Sequence, residues 1–283
     1  MAILGAHQST AGGCHRAVER AAATGCRCVQ LFSKNNNQWA ARPLSDADVE
    51  AFRDAMARLD VSHPLVHDSY LINLAAPDPA LWERSAAALA DELRRAELLG
   101  IPFVVTHPGA HTTSTPEQGL CQVVRAIDQI HAEAPRLKAR ILLETTAGQG
   151  TSLGWRFEQL AEILHRVKCP ERLGICLDTC HVFAAGYALA TAAQYRRTMK
   201  ALDAIVGIAA VRAIHLNDST KERGSRVDRH AGIGRGKMGL APFRRLLRDE
   251  RFQHVPMYLE TPKGTENGED LDRINLRVLR ELE

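Results

Sequence analysis

Eight short apolar segments recur along the 283-residue chain, and each is followed by a longer segment with helical periodicity. Most of the apolar segments are four to six residues long and rich in Val, Ile, Leu or Phe, as in strands that are buried on both faces of a parallel sheet. We place them at residues 2–6, 28–32, 65–67, 103–107, 141–144, 173–178, 211–216 and 255–260.

The segments between them carry helix start signals. Ser45 begins a variant of the capping box, and Asp78-Pro79 places proline at the first position of a helix. Strict alternation favours parallel strands joined by crossover helices, and eight units predict a single-domain (β/α)8 TIM barrel over residues 1–283, with a doubly wound open sheet as the alternative. The helical segments span residues 12–24, 45–59, 78–100, 116–133, 155–167, 191–206, 242–249 and 268–282.

The composition indicates the compartment in which the protein functions. The apolar fraction is 45% and the net charge is +3, which suits a globular protein. No window approaches the roughly 18 uncharged apolar residues of a membrane span, and residues 1–13 show no secretory signal. Seven scattered cysteines, an odd number without a CxxC pair, indicate a reducing compartment. We therefore expect a cytoplasmic protein with no membrane partner.

Six of the eight apolar segments end in a residue that can bind metal. In a barrel the carboxyl ends of the strands converge on one rim, where active sites are built. Burying this many ionisable side chains together is costly unless a cation compensates. The six residues are His67, His107, Glu144, Asp178, His215 and Glu260.

Three further ligands lie nearby in sequence. His181 follows Asp178 by three residues, and Asp228 and His230 alternate along an extended segment. Five histidines and four carboxylates are too many for one ion, so we predict two or three closely spaced ions. Imidazole with carboxylate favours Zn²⁺, with Mn²⁺ or Fe²⁺ as substitutes. We expect Cys180 to face away from this set.

Closely spaced divalent ions are typical of enzymes that hydrolyse phosphate esters. The segment 221–237 supports this interpretation, because it carries six basic residues against two acidic ones. We interpret it as a loop that faces an anion.

Long motifs identify the family that this chain resembles. They are HDSYLINLA at 67–75, HPGAH at 107–111, ETTAGQGTSLG at 144–154, LDTCHVFAAGY at 177–187, HLNDS at 215–219 and GSRVDRHAGIGRG at 224–236. With them the chain resembles, nearly end to end, the endonuclease IV family of metal-dependent apurinic/apyrimidinic endonucleases. The resemblance implies a (β/α)8 barrel with three zinc ions on the rim and no organic cofactor.

The resemblance also implies how the ligands are grouped. His67, His107 and Glu144 would hold the first ion, and Glu144 would bridge to a second ion that Asp178, His215 and Glu260 also hold. His181, Asp228 and His230 would hold the third ion, which stabilises the leaving 3′ oxygen. Glu144 and Glu260 are the implied catalytic residues, with Glu260 orienting or deprotonating the attacking water.

The implied partner is damaged duplex DNA with abasic sites, cut on the 5′ side to leave a 3′ hydroxyl and a 5′-deoxyribose phosphate. Trimming of blocked 3′ ends is also implied, and we expect a monomer. In the family that this chain resembles, an Arg occupies the position of Asn37, and we expect Arg235 to add positive charge near the phosphate track that the resemblance implies. The implied DNA-binding residues are Asn37, Gln38, Tyr70, Leu71, Arg226 and Arg229.

Two other interpretations remain. A sugar isomerase or epimerase on the same barrel would use the quartet Glu144, Asp178, His215 and Glu260, but would not need the other five ligands or the basic loop. A non-catalytic DNA-binding module would have no use for nine ligands. Among the remaining histidines, we expect His7 and His111 to hydrogen-bond to ligands. The others should lie on the surface: His15, His63, His131, His165 and His254.

Overall fold

A computed structural model describes residues 1–283, and it contains twelve strands. Eight of them are parallel and close into a barrel, which confirms the predicted fold and excludes the open sheet. The barrel strands are β1 (Leu4–His7), β2 (Cys28–Phe32), β3 (Ser62–His67), β4 (Phe103–Thr106), β5 (Arg140–Glu144), β6 (Leu173–Asp178), β7 (Val211–His215) and β10 (Met257–Leu259). The short strands are β8 (Asp218–Ser219), β9 (His230–Ala231), β11 (Thr265–Glu266) and β12 (Glu269–Asp270), which form two antiparallel pairs above the barrel sheet.

Nine α-helices accompany the strands, and eight of them match the predicted helical segments. They are α1 (Cys14–Thr24), α2 (Asp46–Arg58), α3 (Pro79–Leu99), α4 (Pro116–Glu133), α5 (Phe157–Arg166), α6 (Thr179–Ala184), α7 (Ala192–Ile205), α8 (Ala241–Leu247) and α9 (Leu271–Leu282). None of them combines the length and the apolar character that a membrane crossing requires.

Helix α6 is the one that the sequence did not predict. It has six residues, too few for helical periodicity to be visible. The side chain of Asp178, the last residue of β6, accepts a hydrogen bond from the backbone N–H of His181 at 2.7 Å and thereby caps the helix. The cap turns the chain immediately after the strand, so that His181 is held over the end of the barrel.

The interior of the barrel begins with an apolar layer. Seven strands each contribute one side chain to a buried cluster that is separate from the core between barrel and helices. On β1 the corresponding residue is Gly5, where a Cβ would collide with the backbone oxygen of Cys28. The seven residues of this inner layer are Cys28, Leu65, Val105, Leu142, Cys176, Ala213 and Tyr258.

Side chains alternate along a strand, so the residue two positions further on also points into the barrel, nearer its carboxyl end. Two residues beyond each member of the inner layer, and beyond Gly5, stands a polar residue. We call these eight residues the polar ring: His7, Gln30, His67, His107, Glu144, Asp178, His215 and Glu260.

Candidate metal centre

The polar ring contains the six strand-end residues that the sequence singled out, together with His7 and Gln30 from the adjacent strands β1 and β2. His107 and Glu260 lie one residue beyond their strands, and the other four are the last residues of theirs. Ligand atoms of all nine predicted residues lie in contact within this ring or directly above it, and they fall into overlapping groups.

One group consists of His67, His107 and Glu144, whose ligand atoms all lie within 4.8 Å of one another. The Nε2 atoms of both histidines are 3.2 Å from Oε2 of Glu144. The Nδ1 atom of His67 faces the backbone oxygen of Asp68 at 3.0 Å, so Nδ1 can carry the proton and Nε2 is left for a cation.

A second group shares Glu144 and adds Asp178, His215 and Glu260, again within 4.8 Å. The Nδ1 atom of His215 lies 2.9 Å from Oε1 of Glu144, 3.2 Å from Oε2 of Glu260 and 3.9 Å from Oδ2 of Asp178. Three carboxylates thus surround one imidazole nitrogen. Glu144 has one oxygen toward each of the two groups, as a bridging ligand requires.

His181, Asp228 and His230 form the outermost set. The Nε2 atoms of His181 and His230 lie 3.0 and 3.2 Å from the two oxygens of Asp228. Both Nε2 atoms are buried, and neither makes a hydrogen bond of acceptable geometry. The other nitrogen of each ring faces a backbone oxygen, of Thr145 for His181 and of Glu260 for His230. Two unpaired nitrogens beside a carboxylate are what a cation site needs.

The electrostatics of the centre also fit cations. Burial alone lowers the pKa of His67, but the hydrogen bond and the charge of Glu144 raise this pKa to about 10. Burial lowers the pKa of His230 as well, and the carboxylate of Asp228 raises it to about 9. The same carboxylates attract a divalent cation, which replaces the proton on each imidazole when the ring deprotonates. Imidazoles with carboxylates form a donor set that Zn²⁺ accepts.

Cys180 does not face away from the centre as expected. It is buried, and its Sγ lies within 4.8 Å of ligand atoms of Asp228 and His230. The expectation was wrong because residue 180 lies on α6, where side chains rotate about the helix axis instead of alternating as in a strand.

Two buried amides, which carry no metal-ligand signal in the sequence, hold the carboxylates in place. The amide nitrogen of Asn217 donates to Oδ2 of Asp178 at 2.6 Å, and its oxygen accepts from the backbone N–H of Glu260 at 2.8 Å. Gln30 contacts Glu260 from the opposite side. Gln30 could have been found as the one polar residue within an apolar strand segment, in phase with the ligands of the other strands.

The centre forms part of the lining of a cleft of about 330 Å³. Tyr70 stands at its edge, 67% exposed, with its ring edge-on to Phe32 at a centroid distance of 5.5 Å. Leu71 beside it is half-buried. Tyr70 thus lies in the lining of the cleft with most of its ring open to solvent.

The loop after β2 carries Asn37 and Gln38, both exposed. It is joined to the Tyr70 loop because the hydroxyl of Ser69 donates to the backbone oxygen of Asn36 at 2.6 Å. The two segments predicted to enter DNA are therefore linked to each other by a hydrogen bond.

The first cation of this loop, Lys34, is not available to DNA. Its side chain is 1% exposed, and Nζ lies 2.9 Å from Asp91 and 3.6 Å from Glu92 on α3. Glu92 also accepts from the hydroxyl of Ser33 at 2.5 Å, and the guanidinium of Arg95 donates to the backbone oxygen of Ser33. We call these five residues the loop anchor, since they fix the base of the loop on α3.

Arg226 and Arg229 lie in the basic loop 221–237, close in sequence to Asp228 in the cleft lining, and both are exposed. The guanidinium of Arg226 stacks over the ring of Trp155 at 3.8 Å, and its φ of 53° is in the left-handed region. Arg229 donates to the backbone oxygen of Asp228 at 2.6 Å. These contacts hold both guanidinium groups in place, and neither group is paired with a carboxylate.

Other cations of this loop are neutralised by carboxylates. Arg235 makes a two-pronged ion pair with Glu266, at 2.8 and 2.6 Å, and Lys237 pairs with Glu222 at 3.0 Å. The expectation that Arg235 adds positive charge was therefore wrong, because the β11–β12 hairpin brings Glu266 to it. The loop is less basic than its composition suggests.

The remaining histidines differ in part from expectation. His7 does lie in the ring, and its Nδ1 is 3.0 Å from the amide nitrogen of Gln30. His111 instead faces the backbone oxygen of Ser114, so it supports a turn and contacts no ligand. His131 is buried in α4, contrary to its assignment to the surface.

Comparison with known proteins agrees with this geometry. Residues 18–282 match the family described as Xylose isomerase-like TIM barrel. The protein named Probable endonuclease 4 from Trichlorobacter lovleyi is 49% identical over 279 residues, which are 99% of each chain. The crystal structure of endonuclease IV from Thermus thermophilus has a TM-score of 0.87 at 41% identity, covering 99% of this chain and 98% of that one. A D-tagatose 3-epimerase-like protein, at a TM-score of 0.74 and 18% identity over 98% and 96% of the chains, shares the fold alone.

Proposed function

Because this chain belongs to the endonuclease IV family of xylose isomerase-like TIM barrels, we propose that it is a DNA-repair endonuclease that hydrolyses the phosphodiester bond 5′ to an abasic site in duplex DNA. One observation carries the proposal. Metal ligands from overlapping groups line a cleft together with the exposed ring of Tyr70, and Arg226 and Arg229 lie in the loop that carries the ligands Asp228 and His230.

We propose three zinc ions, with Mn²⁺ or Fe²⁺ as substitutes. When bound, such ions polarise the scissile phosphate and make water acidic enough to attack it near neutral pH. The first two groups would share Glu144. The three ligand sets would be His67, His107 and Glu144; Glu144, Asp178, His215 and Glu260; and His181, Asp228 and His230.

Glu144 and Glu260 have different tasks in this proposal. Glu144 is fully buried and ionised, because the neighbouring histidines hold its pKa well below the ordinary value despite its burial. It fixes the two inner groups relative to each other. The Glu260 side chain is 17% exposed toward the cleft and also ionised, so it can orient the attacking water and accept its proton.

The rim would recognise a missing base. An abasic nucleotide is easily turned out of the helix because it lacks stacking, and Tyr70 with Leu71 would fill the gap. An aromatic ring recovers roughly 1–3 kcal/mol of stacking per base. Asn37 and Gln38 would enter from the joined loop, while Arg226 and Arg229 would contact phosphates across the cleft.

The reaction balances as a hydrolysis. Water forms a bond to phosphorus, the bond from phosphorus to the 3′ oxygen breaks, and the products are a 3′ hydroxyl and a 5′-deoxyribose phosphate. The same step would remove a phosphate or a sugar fragment that blocks a 3′ end. All nine ligands come from one chain, which supports activity as a monomer, and the seven unpaired cysteines support a cytoplasmic location.

A sugar epimerase would need only the quartet Glu144, Asp178, His215 and Glu260. That quartet is present here, but so is the outer set around Asp228, with two buried imidazole nitrogens that make no hydrogen bond. A single-metal sugar enzyme gives these residues no task, and the outer set therefore favours the nuclease.

The test is the metal content of protein purified without chelator, combined with cleavage of an abasic duplex by the same sample. About three ions per chain and incision 5′ to the lesion support the proposal. One ion and no incision, even after addition of Zn²⁺ or Mn²⁺, would overturn it and direct attention to sugar substrates.

A further inference from the structure

Gln30 is the member of the polar ring that carries an amide. It lies in β2 with no exposed surface, between Val29 and Leu31, which point away from the barrel interior. A buried amide without partners costs roughly 1–3 kcal/mol. The strand accepts this residue because its side chain is fully hydrogen-bonded.

The amide contacts three members of the ring. Its oxygen lies 2.7 Å from Nε2 of His215, and its nitrogen lies 2.5 Å from Oε1 of Glu260 and 3.0 Å from Nδ1 of His7. Both N–H groups and the oxygen are therefore used, and no donor or acceptor of the side chain is left unpaired.

The partners fix how the amide is oriented. The carboxylate of Glu260 only accepts, so it must face the nitrogen of Gln30. The amide oxygen then faces Nε2 of His215, which must carry a proton in order to donate. The Nδ1 atom of His215 is thereby left unprotonated when a metal is bound, and it points at oxygens of Glu144 and Glu260, 2.9 and 3.2 Å away.

We propose that Gln30 is a positioning residue that selects Nδ1 of His215 as the ligand of the second metal group and holds Oε1 of Glu260 so that Oε2 faces this group. The inference rests on the proposed function to the extent that a metal ion must occupy this group. It assigns a role to an uncharged residue that binds neither metal nor DNA.

His7 completes the arrangement. Its Nδ1 accepts the second N–H of Gln30, and its ring packs against Phe32 at a centroid distance of 4.3 Å. The amide nitrogen of Gln30 can only donate, so Nδ1 of His7 must be the acceptor in this contact. The amide of Gln30 thus cannot flip without losing the bonds to His215, Glu260 and His7.

The test compares Gln30→Met with Gln8→Met. Both replace a buried glutamine by a side chain of similar size, but Gln8 donates to Asp272 and contacts no ligand. Zn²⁺-loaded protein is dialysed against increasing dipicolinate, and the retained zinc is counted. Loss of an outer hydrogen-bond partner typically costs 10- to 100-fold in metal affinity. We expect one ion to leave Gln30→Met at roughly 10- to 100-fold lower chelator concentration, with two ions retained and Gln8→Met like the wild type.

A second measurement, of the proton on His215, distinguishes the proposed role of Gln30 from a purely structural one. In ¹⁵N-histidine NMR of the zinc-loaded wild type, the proton of His215 should reside on Nε2 and exchange slowly. In Gln30→Met this proton should exchange much faster, whereas in Gln8→Met it should not. Unchanged zinc retention in Gln30→Met, simultaneous loss of all ions, or a metal bound through Nε2 of His215 would overturn the assignment.

These measurements use no DNA, so the two proposals can fail separately. Wild-type protein that retains zinc as expected but does not cut abasic DNA refutes the nuclease and leaves the role of Gln30 intact. Protein that cuts abasic DNA while Gln30→Met retains its zinc refutes the role of Gln30 alone.

Discussion

The Nε2 atom of His181 lies 3.0 Å from Oδ2 of Asp228. His181 belongs to the short helix α6 directly after a barrel strand, whereas Asp228 belongs to the basic loop. This contact connects the loop to the end of the barrel. It makes the outer ligand set depend on tertiary structure as well as on side-chain chemistry.

Removal of His181 should therefore abolish one metal site without unfolding the barrel. For His181→Ala we expect two zinc ions per chain instead of three. We also expect a kcat on an abasic duplex that is roughly 100- to 1,000-fold lower, since a metal ion contributes several kcal/mol to the transition state. His165→Ala, at an exposed position on α5, is the control. A wild-type rate with three ions would contradict the three-metal proposal.

Tyr70→Ala should weaken recognition of the lesion but not the chemistry. Loss of one stacked ring costs roughly 1–3 kcal/mol, so kcat/KM on abasic DNA should fall about 10- to 100-fold with zinc content unchanged. Leu98→Ala is the matched control, because Leu98 is another exposed apolar residue, located on α3. Equal effects of both substitutions would show that Tyr70 does not fill the gap.

Phosphate contacts make binding depend on salt, and the two kinds of arginine in the basic loop should differ. Arg226→Ala should reduce the slope of log Kd against log salt concentration by about 1, as expected for one lost phosphate contact. Arg235→Ala should change it less, because Glu266 already neutralises Arg235. Fluorescence anisotropy at several salt concentrations measures both slopes, and a larger change for Arg235→Ala would contradict the ion pairing.

The loop anchor predicts that substitution of Lys34, which resembles a DNA contact in the sequence, lowers the stability of the fold. Lys34→Met leaves the buried Glu92 without its cation, and breaking a buried pair costs roughly 3–5 kcal/mol. The free energy of unfolding in urea should fall accordingly. The salt dependence of DNA binding should stay unchanged, because Lys34 reaches no phosphate. Wild-type stability with a reduced salt slope would make Lys34 a DNA contact instead.

His131 should make stability depend on pH. Burial, assisted by the charge of Arg172, lowers the pKa of His131 to about 4, against about 6.5 in an unfolded chain. Between these two pKa values the unfolded chain therefore binds a proton at His131 that the folded chain does not bind. The contribution of neutral His131 is complete above pH 6.5 and is lost as pH falls toward 4.

Between about pH 7 and pH 5 the wild type should lose roughly 1 to 2 kcal/mol more than His131→Leu, as measured by urea unfolding of metal-loaded protein. His165→Leu should show the wild-type dependence, because His165 is exposed. Parallel curves for the wild type and His131→Leu would show that His131 does not titrate on unfolding.

Much of the barrel and its centre could be predicted from the sequence, because both follow from local periodicity. A strand places every second side chain on one face, so an apolar segment that ends in His or Glu positions that residue at the rim. All six strand-end ligands of the polar ring, Glu144 among them, follow this alternation. Gln30 obeys it as well, but an amide carries no metal-ligand signal and was missed.

The sequence by itself thus determined the alternation of strands and helices and the set of nine candidate ligands, and it favoured a barrel over the open sheet that the tertiary structure then excluded. These depend on backbone propensity and side-chain direction, which act over a few residues. Only the tertiary structure decided which basic side chains are paired with carboxylates and which nitrogen of His215 faces the second metal group. Arg235 meets Glu266, Lys34 meets Glu92, and Gln30 meets His215 through pairings of distant segments. Electrostatic and hydrogen-bond energies depend on distance in space, and the packing of the barrel and its loops sets those distances.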